Sequence, residues 1–228
     1  MNAVMYGGGN IGRGFIGALL SQSGYRVTFI DVAEPVVKHL QEKECYPIRY
    51  VFSGGHEDVL VENVTAVNGN DTEAASDVIA NCDIMATAVG ARILKFIVPN
   101  IVAGLRKRWA QGNKPLNIIV CENLMDANLV VEGMIKEQLT EEEKAKFDET
   151  VGLVEVPSIK LPAGWIKGTV GAGDAFCSGV LYGAWKGMDL KSAIEMGTAS
   201  AVCSLSEPGA TEGMRTAEDA MQVYKDLS

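Results

Sequence analysis

The stretch Met5-Tyr6-Gly7-Gly8-Gly9-Asn10-Ile11-Gly12-Arg13-Gly14 decides how the rest of the chain is read. The apolar residues 3–6 predict a buried strand. Gly7, Gly9 and Gly12 then stand at the G-x-G-x-x-G spacing, and Ile11, Phe15, Ile16, Leu19 and Leu20 follow at helical intervals. Strand, glycine turn and helix, in that order, are the context in which this spacing binds a dinucleotide. Gly7 permits the tight turn, Gly9 lets backbone approach a pyrophosphate, and Gly12 lets the helix lie close to its strand. The start of that helix offers unpaired N–H groups to phosphate. A second strand, 26–30, ends at Asp31, where an acidic side chain bonds ribose hydroxyls and repels a 2′-phosphate. A turn that only packs would use the same three glycines. The strand before them, the helix after them and the Asp at the right distance favour a nucleotide.

The 228 residues suffice for one large or two small domains, and 47% apolar content is ample for a core. The net charge of -9 argues against a nucleic-acid partner, since Arg106-Lys107-Arg108 reads as one turn of helix surface. No basic segment followed by an apolar run opens the chain, and no stretch approaches a membrane span. Cys45, Cys82, Cys121, Cys177 and Cys203 form no C-x-x-C pair and no metal spacing. They read as reduced, mostly buried thiols of a cytoplasmic protein.

Past Asp31 the pattern predicts a helix over 34–43 and β-rich text over 46–52 and 59–67, a hairpin inserted into the alternation. Helices over 72–80, 93–109 (interrupted near Pro99) and 127–139 alternate with strands over 84–87 and 116–120. Thr140 and Glu143 form a capping box for one more helix, and 152–156 closes the series as a strand. Such alternation predicts an α/β fold: a Rossmann-like, doubly wound, mostly parallel sheet with its ligand loops at the carboxyl ends of the strands. Those ends carry the glycine turn, Asp31, Thr87-Ala88-Val89-Gly90 and Cys121-Glu122-Asn123.

On these segments, together with Thr28-Phe29-Ile30-Asp31-Val32, Val61-Glu62-Asn63-Val64 and Pro115-Leu116-Asn117-Ile118-Ile119-Val120, residues 2–154 resemble the N-terminal domain of the mannitol-1-phosphate 5-dehydrogenase family. The resemblance implies NAD held by Gly7, Gly8, Gly9, Asn10, Ile11 and Gly12, by Asp31, and by Thr87, Ala88, Val89 and Gly90. It also sets Glu122 and Asn123 beside the nicotinamide; read without it, they are more simply a polar loop after a strand. That family works its chemistry on a Lys-x-x-x-x-Asn-x-x-His segment, with the lysine as general base. No stretch of this chain matches that whole pattern, and the family's catalytic lysine reads as absent. The two histidines, His39 on a polar helix face and His56 in a loop tip, read as solvated surface groups. The reaction implied, where there is any, is mannitol 1-phosphate plus NAD to fructose 6-phosphate plus NADH.

From residue 156 the text changes. Gly171-Ala172-Gly173 opens a helix running to about Lys186, and Asp174 sits in its first turn, either settled by the helix dipole or acting as a base beside a phosphate. A helix over 190–206, a break at Pro208-Gly209 and a helix capped by Thr216 follow. Residues 156–228 resemble the C-terminal part of ribokinase-like (PfkB) carbohydrate kinases, on Gly171-Ala172-Gly173-Asp174-Ala175-Phe176-Cys177-Ser178-Gly179 and Gly209-Ala210-Thr211-Glu212-Gly213-Met214. That resemblance implies phosphate held by Gly171, Ala172 and Gly173, Asp174 as the base, and ATP as a second nucleotide. The chain therefore reads as a hybrid of two incomplete enzymes, its kinase-derived helices packed on the Rossmann sheet. Three functions are open: NAD binding with weak or no turnover for want of the catalytic domain, ATP-dependent phosphotransfer to a sugar, and a structural hybrid with neither.

Overall fold

The computed structural model of the protein describes residues 1–52, 55–112, 114–122, 124, 126–153, 159–209 and 211–227. It divides into two compact units, Met1–Leu153 and Val154–Ser228.

The first unit begins with β1 (Asn2–Tyr6) and a helix that winds in π fashion over Gly12–Gly17 before continuing as α1 (Ala18–Gln22). Then come β2 (Arg26–Asp31), α2 (Glu34–Lys43), β3 (Cys45–Phe52), β4 (Gly55–Glu62), β5 (Val64–Asn68) and α3 (Thr72–Asn81). It closes with β6 (Ile84–Thr87), α4 (Leu94–Ala110), β7 (Leu116–Val120), α5 (Ala127–Lys136), α6 (Glu141–Thr150) and β8 (Val151–Gly152). Six strands pair in parallel in the order β5-β2-β1-β6-β7-β8, while β3 and β4 form a separate antiparallel ribbon. The order is that of a doubly wound dinucleotide fold.

Strand β1 is central and buried on both faces, which is why its sequence is continuously apolar rather than alternating. Val4 and Tyr6 join Ile30, Met85 and Ile118 under α3, α4 and α5. Ala3 and Met5 turn the other way, with Val27, Phe29 and Ala86, toward Ala18, the Val37 and Leu40 face of α2, and Tyr46 and Val61 of the ribbon. Phe29 and Tyr46 meet edge to face at 5.8 Å.

The structure corrects five sequence expectations. The apolar run 59–67 is two strands in two different sheets, because Asn63 adopts a left-handed conformation (φ 59°) and turns the chain out of the ribbon. Asparagine tolerates that region better than most residues. Pro99 does not interrupt its helix: α4 is continuous, and the carbonyl that the proline cannot serve belongs to exposed Lys95, where water can reach it. Strand β8 is two residues long, and 154–156 lie outside the described residues. His56 stands in β4 opposite Val51, not in a loop tip. Of the five thiols, none in a disulfide, only Cys82 and Cys203 are buried; Cys45, Cys121 and Cys177 are half-buried.

Arg108 departs from expectation as well. Arg106 and Lys107 lie on the surface, paired with Glu143 and with Glu73 and Asp77. Arg108 is 1% exposed and donates to four carbonyls, those of Ala80, Cys82, Lys114 and Pro115, at 2.5–2.9 Å. These carbonyls precede β6 and β7, so one guanidinium fastens the amino ends of both strands at the edge remote from the ligand loops.

The second unit contains α7 (Ala172–Trp185), α8 (Leu190–Leu205) and α9 (Ala217–Leu227). Helices α7 and α8 cross closely on small residues: a side chain at Gly179 would strike the Met196 carbonyl, and one at Gly183 would strike Ala193. Ala199 and Cys203 of α8 pack against Ala220, Met221 and Tyr224 of α9. Thr216 caps α9 by accepting from the Asp219 N–H at 3.2 Å.

Candidate functional site

The carboxyl ends of β1, β2, β6 and β7 meet at one edge, and the loops there are bonded to one another. Gly7 takes φ 102°, and its N–H donates to the Ile30 carbonyl at 2.9 Å. A side chain at Gly7 would lie 2.4 Å from the Ala88 carbonyl oxygen, and one at Gly12 would lie 1.9 Å from that of Gly7. Both positions thus require glycine, one for the turn and one for the close approach of the helix. At Gly9 a side chain would meet nothing within 4 Å, and Gly9, Asn10 and Ile11 are exposed. The open side of the turn therefore faces away from the protein's own packing, as a surface meant for a ligand must.

Asp31 closes the turn from the neighbouring strand. Its Oδ2 accepts from the Gly8 N–H at 2.6 Å and its Oδ1 from the Ala33 N–H at 2.8 Å. A carboxylate has about four acceptor sites, so two remain for hydroxyl donors. The Gly8 carbonyl is held as well, by Nε of Arg13 at 2.5 Å. Opposite charges therefore grip the two ends of Gly8.

On the other side of β1, Glu122 plays a matching part. Its two carboxylate oxygens accept from the Val89 N–H at 2.9 Å and the Gly90 N–H at 2.7 Å. This binds the loop after β7 to the loop after β6, where Gly90 turns with φ 92°. The Thr87 hydroxyl oxygen is fully buried and has no hydrogen-bond partner among the described residues. An orphaned buried hydroxyl beside an open glycine cradle fits a site completed by a polar ligand. Behind the edge, Asn100 of α4 donates to the Tyr6 hydroxyl and to the Gly69 carbonyl, both at 2.8 Å. Burial raises the Tyr6 hydroxyl above its ordinary range, more than the Asn100 bond lowers it.

The edge thus brings together Gly7, Gly8, Gly9, Asn10, Ile11, Gly12, Asp31, Thr87, Ala88, Val89, Gly90 and Glu122; Asn123 lies outside the described residues. Sequence reasoning missed the Glu122 clamp, the grip of Arg13 on Gly8 and the Tyr6–Asn100 bond. It also passed over Lys95 and Asn100, which have the lysine–asparagine spacing of the dehydrogenase segment. Ala103 stands where the histidine would follow, Asn100 is committed as above, and the Lys95 ammonium lies over its neighbour Phe96 at 4.9 Å from the ring centre.

In the second unit Gly171 turns with φ 80°, and its carbonyl accepts from the Ala175 N–H at 2.8 Å. Asp174 is exposed in the first turn of α7, and no hydrogen bond or ion pair reaches its carboxylate among the described residues. Those residues also contain no group of three or more His, Cys, Asp or Glu side chains fit to hold a metal, and no helix long and apolar enough to cross a membrane.

Comparison with known proteins finds two families, whose matches overlap over residues 144–157. Residues 1–157 match the family model of the mannitol dehydrogenase Rossmann domain, and residues 144–217 match that of the pfkB family carbohydrate kinases. The chain is 41% identical over 152 residues to the mannitol-1-phosphate 5-dehydrogenase of Brevibacillus brevis, and 39% identical over 155 residues to that of Geobacillus stearothermophilus. These matches take in 67% and 68% of this chain but 39% and 40% of the relatives, so the chain spans about two-fifths of their length. Among solved structures, the Pseudomonas fluorescens mannitol 2-dehydrogenase in ternary complex with NAD and D-mannitol shares the fold. Its TM-score is 0.57 at 13% identity, over 67% of this chain and 40% of that one.

Proposed function

The chain belongs to the mannitol dehydrogenase Rossmann-domain family, and on that premise we propose that its first unit binds NAD(H) at the carboxyl edge of the sheet. The observation that carries the reading is the 2.6 Å bond from the Gly8 N–H to Asp31, which unites a diphosphate turn with a ribose-binding carboxylate in one rigid piece. In this reading the exposed backbone of Gly9, Asn10 and Ile11 meets the diphosphate, and Asp31 accepts from the adenosine ribose hydroxyls and disfavours a 2′-phosphate. Glu122 holds the Val89–Gly90 backbone in place as the wall beside the nicotinamide half. When bound, NAD supplies a hydride acceptor.

The substrate class that the family supports is a hexitol phosphate, mannitol 1-phosphate, oxidised to fructose 6-phosphate. Alcohol oxidation also needs a group to take the hydroxyl proton, worth roughly 10²- to 10⁴-fold in rate. The 228 residues hold no complete Lys-x-x-x-x-Asn-x-x-His set, so this chain by itself is expected to turn over at or near background.

A second reading gives Gly171, Ala172, Gly173 and Asp174 a phosphate-binding role with ATP, favoured by the match of residues 144–217 to carbohydrate kinases. Thermal unfolding with NADH and with ATP separates the two. Ligand at about 100 times its dissociation constant adds about 2.7 kcal/mol. Stabilisation by NADH alone supports the first reading, and stabilisation by ATP alone overturns it in favour of the second. Silence from both leaves a hybrid without a ligand.

A further inference from the structure

Between the glycine turn and the β3–β4 ribbon lies a cleft of about 320 Å³, lined by Gly9, Asn10, Arg13 and Gly14 on one side and by Tyr46, Arg49 and neighbouring ribbon residues on the other. Arg13 is also a wall of an adjoining cleft of about 400 Å³ that reaches Val36 and His39 of α2. Most of Arg13 is committed to structure. Its Nε donates to the Gly8 carbonyl, its N–H donates to the Gly9 carbonyl at 2.9 Å, and its carbonyl accepts from the Tyr46 hydroxyl at 2.7 Å. The two terminal guanidinium nitrogens are different: no hydrogen bond or ion pair reaches them among the described residues, although the residue is half-buried. Arg49, across the cleft, is already matched by Asp58 through bonds of 2.6 and 2.7 Å.

A guanidinium fixed at Nε presents its remaining donors as a preorganised fork, the geometry that suits phosphate oxygens. In a chain of net charge -9, with acidic side chains in excess, leaving such a fork unpaired beside a ligand turn is unusual. We propose that Arg13 holds a phosphoryl group in the cleft between the glycine turn and the ribbon. Gly9 and Asn10, exposed on the same wall, leave room for the oxygens, and the volume suits a phosphate ester. Two sources offer this chemistry. One is the diphosphate of the dinucleotide, which rests on the NAD reading above; the other is the phosphate of a hexitol phosphate, which does not.

The test titrates the full chain, by calorimetry, with sodium pyrophosphate, NADH and mannitol 1-phosphate, in wild type, Arg13→Gln and Arg13→Lys. Arg13→Gln should weaken the phosphoryl ligand about 10- to 100-fold, the loss of a charge-assisted pair of hydrogen bonds. Arg13→Lys should recover part of that loss through its charge. Loss confined to pyrophosphate and NADH assigns the group to the dinucleotide; loss confined to mannitol 1-phosphate assigns it to the sugar. A folded Arg13→Gln that binds all three like wild type overturns the proposal and leaves the NAD reading standing. Wild type that binds pyrophosphate through Arg13 but ignores NADH sinks the NAD reading and keeps the site. If Arg13→Gln does not fold, phenylglyoxal labelling of Arg13 in the wild type decides the matter. Phosphoryl ligand should slow that labelling severalfold, and an unchanged rate at saturation counts against the site.

Discussion

Gly7, after β1, and Gly171, before α7, both take positive φ, 102° and 80°, and each leads into a helix with a carboxylate close by. Their surroundings differ. At the first turn, Gly7 is pressed against Ala88, Gly8 is held at one end by Asp31 and at the other by Arg13, and Gly12 rests on Gly7. Four strands contribute to that edge. At the second, a side chain at Gly173 would meet nothing within 4 Å, as at Gly9, but Asp174 points its carboxylate at no partner among the described residues. Both turns carry a family's glycine signature, but only the first is over-determined by remote elements. Binding strength follows preorganisation, because a fixed set of donors need not be ordered when the ligand arrives. This contrast ranks NAD above ATP more firmly than either motif does.

Gly7→Ala against Gly173→Ala puts the contrast under the greatest strain. The first places a Cβ 2.4 Å from a carbonyl at positive φ and should cost roughly 3 kcal/mol or more of stability, together with NADH binding. The second should change stability by less than about 1 kcal/mol, in the stabilising direction. Denaturant titration measures both, and equal costs would erase the distinction. Glu122→Ala comes next: it strips two backbone N–H groups of a charged acceptor and should cost about 2 kcal/mol, whereas Asp174→Ala should stay within about 0.5 kcal/mol. Asp31→Ala should weaken NADH about tenfold, or about 1.4 kcal/mol, and narrow its advantage over NADPH; calorimetry with both cofactors reads this.

The smallest effect concerns pH. Bonding to Arg106, and then to the Thr140 backbone, lowers the Glu143 carboxyl to about 2. Its folded value lies below the ordinary one of about 4.3. Its contribution is therefore present above about pH 4.3 and is lost as pH falls through about 2. Glu143→Gln should flatten the unfolding curve in that window, and Thr140→Ala should cost about 1 kcal/mol through loss of the cap.

The turn, Asp31 and the alternation of strands and helices were legible because their determinants are local: glycine spacing, apolar runs and distance along the chain. The features that make the edge rigid were not, because each joins residues far apart in sequence. Glu122 meets Val89 and Gly90 only once β6 and β7 pair, and Tyr6 meets Asn100 only once α4 covers β1. Arg108 left a trace that went unread. It follows Ile101 and Leu105 at buried helical spacing, yet two basic neighbours made it look like surface. Asn63 gave a fainter signal, one asparagine inside β-rich text, and it alone separates the ribbon from the main sheet. Residues 144–157 match both families, so the sequence has no sharp seam there.

A crystal structure of the chain soaked with NADH addresses the central claim most directly. The account predicts the diphosphate against the backbone of Gly9, Asn10 and Ile11, with both adenosine ribose hydroxyls on Asp31. An empty edge, or NADH seated instead at Gly171–Asp174, would contradict it.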